Sequence, residues 1–209
     1  MLITKYRHAC LLVEDGAARL LIDPGTFSAG YEDLTGLTAV LITHQHADHV
    51  DLEKLPALLE RNPEAVLHAD EGTAAQLAER GLPVRAVHDG DVLDLGTRVR
   101  VVGRDHAEIH PDVPRVPNTG YLVADRFLHP GDALTVPDFD VELLGLPTAA
   151  PWLKAAEAVD YLRAVRPRVA VPIHEALLTV PPVLYGLFDR LKPPGTELRV
   201  IDGGGTNDF

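Results

Sequence analysis

The chain has 209 residues, 46% of them hydrophobic and 24% charged, and no apolar run nears the roughly 18–20 residues that cross a bilayer, so we expect one soluble globular domain spanning residues 1–209. Lys and Arg number 19 against 31 Asp and Glu, a formal charge of -12 that repels a phosphate backbone, and no basic patch breaks it, which argues against nucleic acid as a partner. A single cysteine, Cys10, excludes an intrachain disulfide, and the start "MLITKYRHACLLVEDG" lacks the basic-then-apolar order of an export signal, so a cytoplasmic, non-membrane protein is expected.

In chain order, "LITKYRHACLLVED" and "ARLLIDPG" read as a hairpin around the turn signal Asp15-Gly16. "LTAVLITH" is a continuous apolar run of strand length and predicts a buried strand. "DLEKLPALLERN" predicts a helix with Pro56 in its first turn, and "AVLHAD" a short strand. "TAAQLAERG" predicts a helix that starts with a Thr73/Gln76 capping box and stops at Gly81. The middle is strand-rich, with "VRAVHDGD", "DVLDLG", "TRVRVVGRDH", "TGYLVAD", "RFLHPGD" and "VELLGLP" each bounded by Gly, Asp or Pro. Leu153, Ala156, Val159, Leu162 and Val165 form a helical stripe that Pro167 ends. "RVAVPIHE" predicts a further strand, "VLYGLFDRL" a last helix, and "GGGTNDF" a mobile tail. Strand-rich halves that each lead into alternating strand and helix predict two sheets packed face to face with helices outside.

The stretch "LITHQHADHVD" puts His44, His46, Asp48 and His49 directly behind a predicted buried strand. Along an extended segment residues i and i+2 share a side, so His44 and His46 can converge on one ion, while Asp48 and His49 lie beyond the bend, placed to reach a second. Imidazole with carboxylate suits zinc, iron or manganese.

The motif "THQHADH" resembles the HxHxDH motif of the metallo-β-lactamase superfamily of metal-dependent hydrolases, and the resemblance runs along nearly the whole chain. "RHACLLVEDGAARLLIDPG" resembles the opening hairpin of its L-ascorbate 6-phosphate lactonase-like branch, "FLHPGDALT" its glycine-aspartate motif and "VAVPIHE" its final histidine strand. The resemblance implies an αββα sandwich of two mixed sheets with outer helices and a metal centre on one edge. By matched position, His44, His46 and a third histidine would hold one divalent transition-metal ion, and Asp48, His49 and His174 a second, most simply zinc, with manganese or iron as alternatives. Asp132 in "HPGD" would bridge both ions beside a shared hydroxide, which makes Asp48 and Asp132 the implied catalytic carboxylates. His106 and His110 both offer the third histidine, and His106 is preferred because it ends a predicted strand. Asp51, two residues after His49, stands where a glycine is frequent in the family, which can alter the loop but not the motif.

Among the remaining candidates, His8 either approaches the site or packs in a strand, and Asp23 either orients a ligand histidine or begins a turn at Pro24. His68, His88 and His129 are expected to be structural or exposed, Cys10 buried, and Trp152 and Tyr185 either pocket-lining or core. The implied function is dinuclear hydrolysis by a metal-bridging hydroxide of a small molecule such as a lactone or phosphodiester; a metal-binding scaffold with little turnover is the alternative. Assembly into a homo-oligomer is left open. Specificity is expected from the loops "GTFSAGYEDLTG", "AEIHPDVPRVPN" and the segment from Pro147 to Trp152.

Overall fold

A computed structural model describes residues 1–209. The first half of the chain builds one sheet, from β1 (Leu2–Lys5), β2 (Leu11–Asp15), β3 (Ala18–Ile22), β4 (Ala39–Ile42), β5 (Val66–Ala69) and β6 (Val84–Ala86), with α1 (Leu55–Arg61) and α2 (Glu71–Glu79) on its outside. The second half builds the other, from β7 (Val92–Asp94), β8 (Arg98–Val102), β9 (Gly120–Val123), β10 (Phe127–His129), β11 (Leu143–Pro147), β12 (Val169–Ile173) and β13 (Glu197–Leu198), covered by α3 (Ala155–Val165) and α4 (Pro181–Leu191). The final strand, β14 (Thr206–Asp208), crosses back to the first sheet. The two orders are β14-β1-β2-β3-β4-β5-β6 and β13-β12-β11-β10-β9-β8-β7.

Side-chain alternation makes this a four-layer stack. In β4, Ala39 and Leu41 face the second sheet in a core with Val99, Val123 and Val171, whereas Val40 and Ile42 face outward to Leu55, Leu58 and Leu77 of the helices. The second sheet divides likewise, with Leu122, Leu144 and Ala170 turned outward to Leu162 and Phe188. The expected αββα sandwich of two packed mixed sheets with outer helices is therefore the observed fold.

Strand direction positions the site. β1 and β3 are both antiparallel to β2, and β4 is parallel to β3, so these three strands run the same way. β8 and β10 are both antiparallel to β9, while β11 and β12 continue parallel to β10, so β8, β10 and β12 also share a direction. Their C-terminal ends meet at one rim of the sandwich.

The structure departs from the sequence reading at four places. The first run is two strands, because Arg7 and His8 take positive φ values of 69° and 47° and reverse the chain between β1 and β2. The tail is not free, since Thr206–Asp208 pairs with β1 and Thr206 Oγ1 lies 2.7 Å from Thr4 Oγ1. α2 starts earlier than the Thr73 box, because the Asp70 side chain accepts from the N–H groups of Gly72 and Thr73 at 2.8 and 3.1 Å. β8 ends at Val102, where Gly103 turns the chain at φ +84°, four residues before His106.

Phe188 is the one fully buried side chain of α4. Phe188→Ala should cost about 3–5 kcal/mol, read as a lower urea midpoint at unchanged slope.

Candidate metal centre

Six of these co-directional strands each deliver a polar residue beyond the C-terminal end: His8 after β1, Asp23 after β3, His44 after β4, His106 after β8, Asp132 after β10 and His174 after β12. The chain between His44 and His49 is a tight turn, with His49 and Val50 both donating backbone N–H to His46 O at 2.9 and 3.0 Å. His44 and His46 still converge, Nε2 of one lying 3.0 Å from Nδ1 of the other.

Two groups of side chains result. His44, His46, His106 and Asp132 form one and His8, Asp48, His49 and His174 the other, and within each the candidate ligand atoms lie within 4.8 Å of one another. Asp132 stands between them, with Oδ1 3.1 Å from both His49 Nε2 and His174 Nε2 and Oδ2 3.4 Å from His106 Nε2. These approaches are not aligned as hydrogen bonds, and His49 Nε2, His106 Nε2, His174 Nε2 and Asp132 Oδ1 remain buried without a hydrogen-bond partner. His110 lies outside both groups, its ring exposed and paired with Asp112.

The opposite ring nitrogens are all occupied. His106 Nδ1–H donates to Ala107 O at 2.6 Å and His174 Nδ1–H to Ala149 O at 2.6 Å. His49 Nδ1–H donates to Asp23 Oδ2 at 2.7 Å. The Thr43 hydroxyl donates to the same carboxylate at 2.8 Å and accepts from His44 Nδ1–H at 3.0 Å. These four rings thus have their tautomers set with Nε2 turned inward, whereas His46 turns Nδ1 toward His44. Asp23 is buried with φ 51°, and its place beside His49 shows why the turn before Pro24 carries an acid.

His8 sits in the turn rather than in a strand. Its Nδ1 accepts from Ala176 N–H at 3.3 Å, which leaves Nε2–H to donate to Asp48 Oδ2 at 3.0 Å. With both nitrogens engaged, His8 steadies Asp48. The turn is clamped by Lys5, a buried lysine whose Nζ donates to Pro172 O at 2.7 Å and Glu175 Oε2 at 2.8 Å, while Glu175 Oε1 accepts the His8 N–H at 3.2 Å.

Sequence reasoning missed Lys5, Thr43, Asn118 and Tyr121. Asn118 accepts Asp132 N–H at 2.9 Å and donates to Pro130 O at 3.0 Å, and Tyr121 O–H crosses between the sheets to Ile42 O at 2.9 Å. Spacing carries no trace of Lys5, Asn118 and Tyr121, whose partners lie 167, 14 and 79 residues away, and Thr43 takes its place from Asp23, 20 residues earlier, as well as from the neighbouring His44. Two glycines are steric requirements: a Cβ at Gly25 would overlap the Asp48 carbonyl, and one at Gly131 would strike Thr43 and Asn118. Asp51 Oδ1 accepts from the N–H groups of Glu53 and Lys54 at 3.0 and 3.1 Å, opening the turn into α1. His129 is structural, Nε2–H donating to Ala9 O at 2.9 Å and Nδ1 accepting Gly131 N–H at 3.2 Å. His68 and Cys10 are buried and His88 is exposed.

Burial opposes every charge here, and the outcome depends on neighbours. Burial, then the His49 charge, pushes the His44 pKa well below the usual imidazole value. For His174 burial acts the same way, but Asp132 and Asp48 overcome it and raise the pKa to about 9. His49 is likewise carried well above its usual value against burial by Asp132 and Asp23. Burial would raise Asp132 and Asp48, yet the facing imidazoles hold both far below the ordinary carboxylate range.

A cavity of about 280 Å³ opens onto this rim and reaches His46, Asp48, His106, Asp132 and His174. All three predicted loops line it, through Thr26 and Phe27, Ile109, and Pro151 and Trp152, and Leu177 joins them. Trp152 is buried and its indole N–H donates to Asp132 Oδ2 at 2.8 Å, whereas Tyr185 does not line the cavity. No helix is long and apolar enough to cross a membrane.

An αββα sandwich with two histidine-carboxylate groups at one rim defines a metallo-hydrolase. The family described as a β-lactamase superfamily domain matches residues 2–174. Protein Rv0786c of Mycobacterium tuberculosis is 56% identical over 209 residues, covering 97% of this chain and 94% of its own. The UPF0173 protein PF0020 of Pyrococcus furiosus is 30% identical, covering 89% and 84%. Igni18, a metallo hydrolase of Ignicoccus hospitalis, superposes with a TM-score of 0.76 at 18% identity over 100% of this chain and 98% of its own, a likeness of fold. The chain belongs to the metallo-β-lactamase superfamily and, within it, to the UPF0173 family of metal-dependent hydrolases.

Asp23→Asn keeps the shape of the contact to His49 but removes its charge, and should weaken metal binding about 10–100-fold in chelator competition. Near pH 7 the metal-free protein holds the raised protons of His49 and His174, which must leave for Nε2 to bind an ion. Calorimetry in buffers of different ionisation enthalpy should therefore record proton release on loading, and affinity should rise with pH until His174 titrates at about 9.

Proposed function

We propose that this metal-dependent hydrolase works through a dinuclear centre on a small-molecule lactone or phosphodiester. His44, His46 and His106 would hold one ion and Asp48, His49 and His174 the other, with Asp132 between the two groups. The observation that carries this reading is the set of buried, unpartnered atoms His49 Nε2, His106 Nε2, His174 Nε2 and Asp132 Oδ1. Such atoms cost about 1–3 kcal/mol each when left unpaired, and here they belong to good metal donors whose other ring nitrogens are occupied. Two divalent ions in such a donor set, zinc by preference with manganese or iron also suited, supply a water-derived nucleophile near neutral pH and a Lewis acid for the substrate oxygen.

The chain's own groups do the rest. Asp23 and the carbonyls of Ala107 and Ala149 fix the imidazoles, His8 holds Asp48, and Trp152 and Asn118 hold Asp132 from two sides. The cavity admits substrate to one side of both groups, which favours turnover over a closed, metal-bearing scaffold. The acidic net charge favours a small molecule over nucleic acid.

Elemental analysis of freshly purified protein should find about two transition-metal ions per chain, falling to about one in His174→Ala. A single ion in both proteins, or none, would overturn the dinuclear reading.

A further inference from the structure

Resting on the proposed metal centre, we infer that its substrate is an uncharged ester or lactone whose acyl group is apolar, held against a wall of Phe27, Ile109, Leu177, Pro151 and Trp152. Phe27, Ile109 and Leu177 come from three separate loops, after β3, β8 and β12, and are 43%, 39% and 50% exposed. Exposed apolar side chains are ordinary when scattered, but these three converge on a single cavity that also reaches Asp48, Asp132 and His174. Trp152 spends its indole N–H on Asp132 Oδ2, so what it offers a ligand is its ring. The wall therefore starts at the reacting centre.

The same cavity has no lysine or arginine in its lining. A phosphodiester would bring a charge with only the ions to meet it, in a chain of net charge -12. A larger bay of about 650 Å³ adjoins through His106, Ile109, Pro151 and Trp152. Its two cations, Arg115 and Lys154, stand 3.4 and 3.8 Å from Glu108 and Glu157, and Asp105 adds a third carboxylate, so this bay has no excess of positive charge for an anion. The reaction is a plain hydrolysis: water oxygen bonds to the acyl carbon, the acyl C–O bond breaks and the leaving alkoxide takes up a proton, giving a carboxylic acid and a hydroxyl group.

Trp152 is the only tryptophan and lies where this cavity meets the adjoining bay, so its fluorescence reports binding at that junction. The probes are acetohydroxamate and octanohydroxamate, which share a metal-binding head and differ only in alkyl length, titrated into metal-loaded protein. Octanohydroxamate should bind at least about tenfold tighter, a modest share of the burial value of its extra methylenes. Phe27→Ser and Leu177→Ser, both changes at exposed positions, should each cut that preference several-fold, and γ-octalactone should be hydrolysed faster than bis(p-nitrophenyl) phosphate. Equal affinity for the two hydroxamates, or faster cleavage of the phosphodiester, would overturn the apolar acyl group and leave the metal centre standing. Failure of both probes to bind protein that elemental analysis shows to be loaded would overturn the acyl proposal and the accessible metal centre together.

Discussion

Asp132 carries a negative charge into a place that is almost fully buried, between two sets of imidazoles that burial would keep neutral. Water cannot screen that charge, and one of its oxygens has no hydrogen-bond donor. What makes the arrangement tenable is the ring of groups around it. His49 and His174 face Oδ1, Trp152 donates to Oδ2, and Asn118 holds the backbone N–H. The same balance lifts His49 and His174 and depresses Asp132 and Asp48, so a cation entering the pocket would have to displace protons.

The sandwich exists, for this purpose, to bring six strand ends to one rim. Tyr121 ties the second sheet to the end of β4, and Thr119 N–H donates to Thr43 O at 2.9 Å beside it. Lys5 closes the other side, joining β1 to the chain after β12 where His174 sits at φ 64°. A buried lysine paired with one carboxylate contributes little net stability against its desolvation cost, and here it fixes the relative position of His8 and His174. Between the sheets lies a core that includes Ile3, Leu20, Leu41, Tyr121, Phe127 and Val171, so the polar groups at the rim stand on a rigid base.

Around that base the loops differ in chemistry from the centre they surround. The rim groups are nearly all titratable, while the wall beyond them is apolar and without free positive charge. On the proposed function this division would separate the bond-breaking groups from those that choose the substrate, and let the loops vary without disturbing the histidines.

Part of the site was legible in the sequence because its chemistry is concentrated, three imidazoles and a carboxylate within six residues, whereas the family resemblance pointed to Asp132 in its Gly-Asp turn and to His174 after the strand that ends at Ile173. Apolar patterning also placed most strands and α3, since burial on one face imposes a repeat that a single chain displays, while proline and capping signals marked α1 and α2. Other features depend on contacts between residues far apart in the chain. The choice of His106 over His110 came from a crossing at the rim, where the chain between β8 and β9 folds back so that His106 N–H donates to Val116 O at 3.1 Å. His8, Asp23, Lys5 and Asn118 acquired their places the same way, through partners 168, 26, 167 and 14 residues distant. The pairing of the last strand with the first, which a glycine-rich tail conceals, is of this kind too. Local order determined which residues can bind and which segments can be buried. Only the tertiary structure decided which of them meet, because a hydrogen bond or an apolar wall needs two surfaces and the sequence displays them one at a time.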